Sequence, residues 1–192
     1  MNKIKDGMLL FHGSYTIVKE IDLDKCGNAK DFGKGFYLTS SLVQARSFIK
    51  SSVRKAVSTG DAPIDQTYGY VSSFRYHEPE GGIETYEFPT TNREWLWFIA
   101  QNRRARLAKY LRDKIDPTIF LAEIAVGKVA NDNTNATITA YLGGLYGSIE
   151  SNEAVDDAIK RLMPDKLEDQ FCFLTERAIG CLEFQEARKY VI

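Results

Sequence analysis

A chain of 192 residues, 44% hydrophobic and 27% charged, can bury a core of its own and has the composition of an ordinary soluble globular protein. Its 25 lysines and arginines against 26 aspartates and glutamates leave a net charge of −1, which excludes a global field that recruits nucleic acid or a membrane surface. Three cysteines, Cys26, Cys172 and Cys181, fit a reducing compartment rather than a secreted disulfide framework, and with neither a signal peptide nor an apolar run of roughly 20 residues the chain is expected to be cytoplasmic.

The run MLLFH (8–12) is short and apolar, so a buried strand is expected there. A charged loop through Gly27 and Gly33 leads to GFYLT (35–39), a second short strand. Ser40 or Ser41 then caps a helix whose apolar positions Leu42, Ala45, Phe48, Ile49 and Val53 recur at helical spacing and predict one buried face. The runs 68–76 and 83–88 flank HEPEGG, and proline with paired glycines between β-rich runs predicts a hairpin. TNRE from Thr91 reads as a capping box. The helix it opens turns Trp95, Phe98 and Ile99 inward and is expected to run to about Lys114, with Pro117 stopping it. A strand at 119–126, a polar turn at 131–135, a helix at 152–163 and strands at 170–174 and 181–185 complete the chain. Strands and helices mix without a strict βαβ rhythm, which predicts a single α+β domain over 1–192 with a largely antiparallel sheet.

Three stretches carry candidate chemistry: FHGS (11–14), FGKGFYLT (32–39) and DQFCF (169–173). A histidine closing an apolar strand is by default structural, but His12 is one of only two and is followed by Gly13, which lets a backbone approach a ligand. GKG around Lys34 lacks the spacing of a phosphate-binding loop. Tyr37 is by default core, and its ring is equally a platform for a flat heterocycle.

Together and in this order, HGS and GKGFYLT resemble the first two signatures of ADP-ribosyltransferases of the diphtheria-toxin and poly-ADP-ribose-polymerase type. The segments KDFGKGFYLT, EWLWFIAQNRR, AVGKVANDN and DQFCFLTERAIGCLEF resemble one bacterial family of unknown function within that superfamily, so the resemblance spans 12–184. It implies an ADP-ribosyltransferase-like split antiparallel β-sheet core with flanking helices, and NAD as the substrate. It implies catalytic roles for His12, Tyr37 and Gln170, and NAD-binding roles for His12, Gly13, Ser14, Tyr37 and Phe48. His12 is expected to donate to the adenine-ribose hydroxyl, the Gly13 backbone to meet the nicotinamide carboxamide, and Tyr37 to stack on the nicotinamide ring. Phe48 is expected to close the other side of that pocket, although it falls equally well on the helix's apolar face. No metal ligand set is assigned.

Cleavage between nicotinamide and ribose passes through a cation-like sugar, so the site needs a rigid slot and a polar group near the ribose. Here the chain departs from the best-known relatives, which carry glutamate where this chain has Gln170. Glutamine can accept and orient a hydroxyl but supplies neither charge nor base, which points to single-unit transfer rather than polymer synthesis. Glu168, on the same face of an extended strand, is a candidate carboxylate or simply an exposed acid, and Glu176 reads as a helix-starting acid. Ala45 stands where a serine often contacts the carboxamide, with Gln44 beside it. The implied protein is a mono-ADP-ribosyltransferase acting on a protein or nucleic-acid acceptor, as a bacterial toxin or defence effector with a small antitoxin-like partner. An NAD glycohydrolase and a non-catalytic NAD- or ADP-ribose-binding module are the alternatives. Arg103, Arg104, Arg106, Lys109, Arg112 and Lys114 read as a solvated helix face, with a local contact to nucleic acid or an acidic partner as the alternative.

Overall fold

The computed structural model describes residues 3–28, 30–128, 132–162 and 168–192, and these form an α+β structure with two sheets. Strands β1 (Leu9–Ser14), β3 (Tyr68–Tyr76) and β7 (Leu182–Val191) make an antiparallel sheet in the order β1-β3-β7. Strands β2 (Phe36–Leu38), β4 (Thr85–Glu87), β5 (Ile124–Lys128) and β6 (Asp169–Phe173) make the other, in the order β2-β6-β5-β4, with only β4–β5 parallel. Among the described residues the backbones of the two sheets meet at a bridge, where Phe11 N–H donates to the Thr39 carbonyl at 2.8 Å and Thr39 N–H donates to the Phe11 carbonyl at 3.0 Å.

Alternation along the strands sorts the apolar side chains into three layers of core. Leu10, Phe36, Leu38, Phe74, Ile124, Val126, Phe171 and Phe173 fill the space between the sheets. Val71, on the outer side of the three-stranded sheet, packs under α1 (Leu42–Thr59) through Ala45, Ile49 and Val53. Ala125 and Cys172, on the outer side of the other sheet, meet α2 (Arg93–Arg103), α4 (Asp132–Leu142) and α5 (Asn152–Leu162). Helix α3 (Ala105–Leu111) follows α2, and α6 (Glu176–Ile179) links β6 to β7. Among the described residues no helix is long and apolar enough to cross a membrane.

Strands β1, β2, β3 and β6 fall within one or two residues of expectation, whereas β7, expected to end at 185, runs on to Val191. Helix α1 begins where Ser41 Oγ accepts from Gln44 N–H at 3.2 Å and ends at Gly60, whose φ of 80° suits a residue without Cβ. Two residues expected on its buried face, Leu42 and Phe48, are instead 38% exposed, while Ala56 joins the core.

Elsewhere the structure corrects the sequence reading. Runs 68–76 and 83–88 form no hairpin, because β3 lies in one sheet and β4 in the other. The connection 77–84 exceeds the 2–5 residues usual for a hairpin loop. Its end is held across the fold, where the Glu84 carbonyl accepts from Glu123 and Ile124 N–H at 2.7 and 3.1 Å. Helix α2 is capped by Asn92 rather than Thr91, with Oδ1 taking Trp95 N–H at 3.0 Å. Glu94 does not bond back to the cap; it accepts from Tyr86 O–H and Asp116 N–H, each at 2.9 Å. The helix breaks at Arg104, which is extended (φ −133°, ψ 93°). A 3-10 turn over Pro117–Leu121 replaces the early part of the expected strand, which starts at Ile124. Residue 131 lies outside the described residues, and 132–135 open α4 rather than a turn; the buried Ile138, Tyr141 and Leu142 supply the reason a helix is stable there. Residue 163, expected to end α5, also lies outside the described residues.

Candidate functional site

The candidate residues gather where β1 meets β2. Both backbone groups of Phe11 face Thr39, so antiparallel alternation turns those of Gly13 to the same edge, beyond the bridge and away from β3. Between them, His12 points into the space between the sheets. Its ring lies 4.6 Å from that of Phe36, centroid to centroid, and its Nδ1 is 2.8 Å from the Tyr37 carbonyl. A carbonyl only accepts, so Nδ1 carries the hydrogen and donates. Burial lowers the His12 pKa, opposed by the Tyr37 carbonyl and reinforced by Lys30, so the ring is neutral near pH 7. Nε2 is then an acceptor, with no hydrogen-bond partner among the described residues. A ribose hydroxyl meeting this ring would have to donate to Nε2, the reverse of the polarity expected from the sequence.

Gly13 owes its lack of a side chain to a helix. A Cβ there would sit 1.9 Å from the Ala45 carbonyl oxygen and 3.3 Å from Phe48 Cβ. The same contact brings Phe48, 38% exposed, alongside Gly13. Ser14 is buried next to them. Ala45 is buried and presents its carbonyl to Gly13, while the half-buried Gln44 spends its N–H on the Ser41 cap.

Tyr37 stands opposite Cys172 in the β2–β6 register. Its hydroxyl donates to the Gly33 carbonyl at 2.8 Å and accepts from Phe32 N–H at 2.9 Å, so it clamps the loop before β2. Burial, with Cys172 next in importance, raises the phenol pKa well above its usual value and keeps it protonated. Burial likewise pushes up the Cys172 thiol, which is no nucleophile here. The two glycines of GKG serve this closure. Gly33 has φ 93°, and a Cβ on Gly35 would lie 2.5 Å from Cys172 Sγ. Lys34 reaches out to Asp24 at 2.9 Å.

Gln170 lies two residues before Cys172 on the same face of β6 and is 6% exposed. Its Nε2 donates to the Lys128 carbonyl at 3.1 Å and to Asp31 Oδ2 at 3.3 Å. Two acceptors on one side fix the amide's orientation and leave Oε1 without a partner among the described residues. Asp31, 7% exposed, is held by Arg103, whose Nη2 and Nε lie 2.6 and 2.8 Å from Oδ1. Asn102 Nδ2 donates to the Asp31 carbonyl at 2.9 Å.

The structure therefore joins His12 to Tyr37, Gly13 to Phe48, and Tyr37 to Gln170 along one sheet face, while the rings of His12 and Tyr37 lie on opposite faces of β2. Glu168 is exposed just ahead of β6, and the carboxylate beside Gln170 is Asp31, which sequence reasoning missed. Nothing in the sequence ties Asp31 to a residue 139 positions away; its one local signal is an acid inside a glycine-flanked loop. Glu176 opens α6 behind the Thr175 cap, as expected. The basic run divides: Arg103 turns inward, the Arg112 guanidinium lies 4.6 Å from the Phe120 ring centroid, Lys114 pairs with Glu150, and Arg104, Arg106 and Lys109 stay exposed.

No curated protein and no solved structure matches the chain. Residues 8–184, a span that holds His12, Tyr37 and Gln170, match the family described as protein of unknown function DUF3990, and the chain belongs to that family.

Proposed function

We propose that this protein is a mono-ADP-ribosyltransferase of ADP-ribosyltransferase-like core that moves ADP-ribose from NAD to a macromolecular acceptor, protein or nucleic acid. The observation that carries the reading is the 2.8 Å contact between His12 Nδ1 and the Tyr37 carbonyl, which draws two motifs 25 residues apart together where β1 meets β2. In this reading Tyr37 and Phe48 flank the nicotinamide, and the Gly13 N–H and C=O match the acceptor and donor of its carboxamide. His12 Nε2 accepts from the adenine ribose, and Gln170 Oε1 accepts from a hydroxyl of the other ribose. The C1′–N bond breaks with its electron pair staying on nicotinamide. The cationic sugar takes a lone pair from the acceptor, whose proton passes to solvent. An uncharged amide facing that cation favours a single transfer over chain growth.

Pure protein with NAD labelled in its adenylate tests the reading. Label entering protein or nucleic acid of a lysate, and lost in Tyr37→Ala, supports it. Nicotinamide release with water as the sole acceptor would make the protein a glycohydrolase, and binding without turnover a non-catalytic module. A role as a bacterial toxin restrained by a small partner protein predicts growth arrest on expression, relieved by Tyr37→Ala.

A further inference from the structure

Gln170 is aimed by a buried carboxylate that the chemistry just described does not use. We infer that Asp31 is a positioning residue: together with the Lys128 carbonyl it holds the Gln170 amide so that Oε1 stays available to a ligand, and Arg103 fixes which carboxylate oxygen is available for this. The inference rests on the transferase reading for its chemistry but not for its geometry.

The atom assignments leave little freedom. Arg103 places two nitrogens on Oδ1, at 2.6 and 2.8 Å, so Oδ2 is the oxygen turned to Gln170 Nε2 at 3.3 Å. The partner of Nε2 must therefore be an acceptor, and the opposite end of the amide, the negative end of its dipole, points where a sugar cation would develop. The loop has supports besides the Asp31 side chain. That loop is held by the two bonds of the Tyr37 hydroxyl, by Asn102 on the Asp31 carbonyl, by Gly33 N–H on the Lys30 carbonyl at 3.2 Å, and by the buried Phe32. Burying a carboxylate with its arginine is also a poor route to stability, since the desolvation of both ions can outweigh their attraction. A buried pair that orients a third side chain is better explained by a need at the site.

Asp31→Asn tests this with little change of shape. Arg103 keeps the remaining oxygen, so the new Nδ2 faces Gln170 Nε2, donor against donor, and the Gln170 amide is driven to turn over. The kcat for nicotinamide release should fall about 10–100-fold, the range typical of groups that orient a functional side chain, while KM for NAD stays close to wild type. In a Gln170→Ala background the same substitution should cost no further rate. Equal losses in both backgrounds, or a loss that follows the melting temperature, would overturn the inference. A second readout needs no activity. The Gln170 side-chain amide hydrogens, followed by NMR, should exchange slowly in the wild type and quickly in Asp31→Ala; equal rates would also overturn it. Wild type that releases no nicotinamide but shows this difference would remove the transferase reading and leave the role of Asp31 standing.

Discussion

Two regions of this molecule are held in different ways. At the candidate site, side chains are fixed by hydrogen bonds, mostly to backbone atoms: His12 by the Tyr37 carbonyl, the Tyr37 hydroxyl by Phe32 and Gly33, Gln170 by the Lys128 carbonyl and the Asp31 carboxylate. In the helical layer, Trp95, Leu96, Ile99 and Ile138 are sealed in one apolar cluster, and shape rather than polarity sets their places. A substitution in a region fixed by hydrogen bonds acts on the chemistry at a moderate cost in stability, while one in a region fixed by volume acts on stability first. Substitutions in the helical layer should thus remove folded protein without altering the site in the molecules that remain.

Trp95→Ala is the strongest test of that contrast. The side chain is fully buried in the core under α2. Its removal should cost about 3–5 kcal/mol, read as a lower urea midpoint, with the proposed NAD turnover per folded molecule unchanged. A specific loss of turnover at unchanged stability would show that the helical layer shapes the site directly.

Gly13→Ala should cost about 1–3 kcal/mol or more, because its Cβ would meet the backbone carbonyl of Ala45 at 1.9 Å and backbone cannot turn aside. Gly81→Ala is the matched control: its φ of 82° makes a side chain strained, yet nothing lies within 4 Å of the added Cβ. The cost there should stay near 1–2 kcal/mol. Equal costs in thermal melts would mean that α1 does not press on β1 as closely as described.

The same contrast explains how much was legible beforehand. Short apolar runs and a capping serine left clear marks, so β1, β2, β6 and the start of α1 were readable, while the grouping of His12, Gly13 and Tyr37 came only from what the family resemblance implies. In α2, seven consecutive residues, Trp95, Leu96, Trp97, Phe98, Ile99, Ala100 and Gln101, are buried. A helix buried all round gives no amphipathic stripe from which to read its end or its partners. The crossing of 77–84 between sheets depends on contacts with Glu123 and Ile124, remote in sequence, and so imitates a hairpin locally. Asp31 was invisible for a related reason, since only the fold puts it beside Gln170 and Arg103.

Tyr37 allows ring and hydroxyl to be separated. Tyr37→Phe removes the donor to Gly33 and the acceptor for Phe32 N–H, and leaving such partly buried groups unpaired should cost about 1–3 kcal/mol. The ring remains, so under the proposed transferase reading NAD cleavage should persist in Tyr37→Phe and vanish in Tyr37→Ala. Comparable loss of turnover in both variants would assign Tyr37 to loop closure alone.

The smallest effect is a slope with pH. His12 has its pKa lowered from the ordinary 6.5, chiefly by burial. As pH falls through about 6.5 the unfolded chain takes up a proton on this residue while the folded chain does not. The unfolded state then binds more protons, so the stability held above that pH drains away as pH drops toward the folded value. One proton limits the slope to about 1.4 kcal/mol per pH unit. His12→Asn isolates the contribution, because its amide can still donate to the Tyr37 carbonyl but does not titrate. Urea midpoints from pH 7.5 down to pH 5 should therefore fall more steeply for wild type than for His12→Asn, and parallel curves would show that the ring is not held neutral by its surroundings. Affinity for NAD adds a second curve. Protonation converts Nε2 from acceptor to donor at the atom proposed to take the ribose hydroxyl, so binding to wild type should weaken on the acid side along with the stability. Binding that stayed flat while stability fell would confine His12 to bracing β1 against β2.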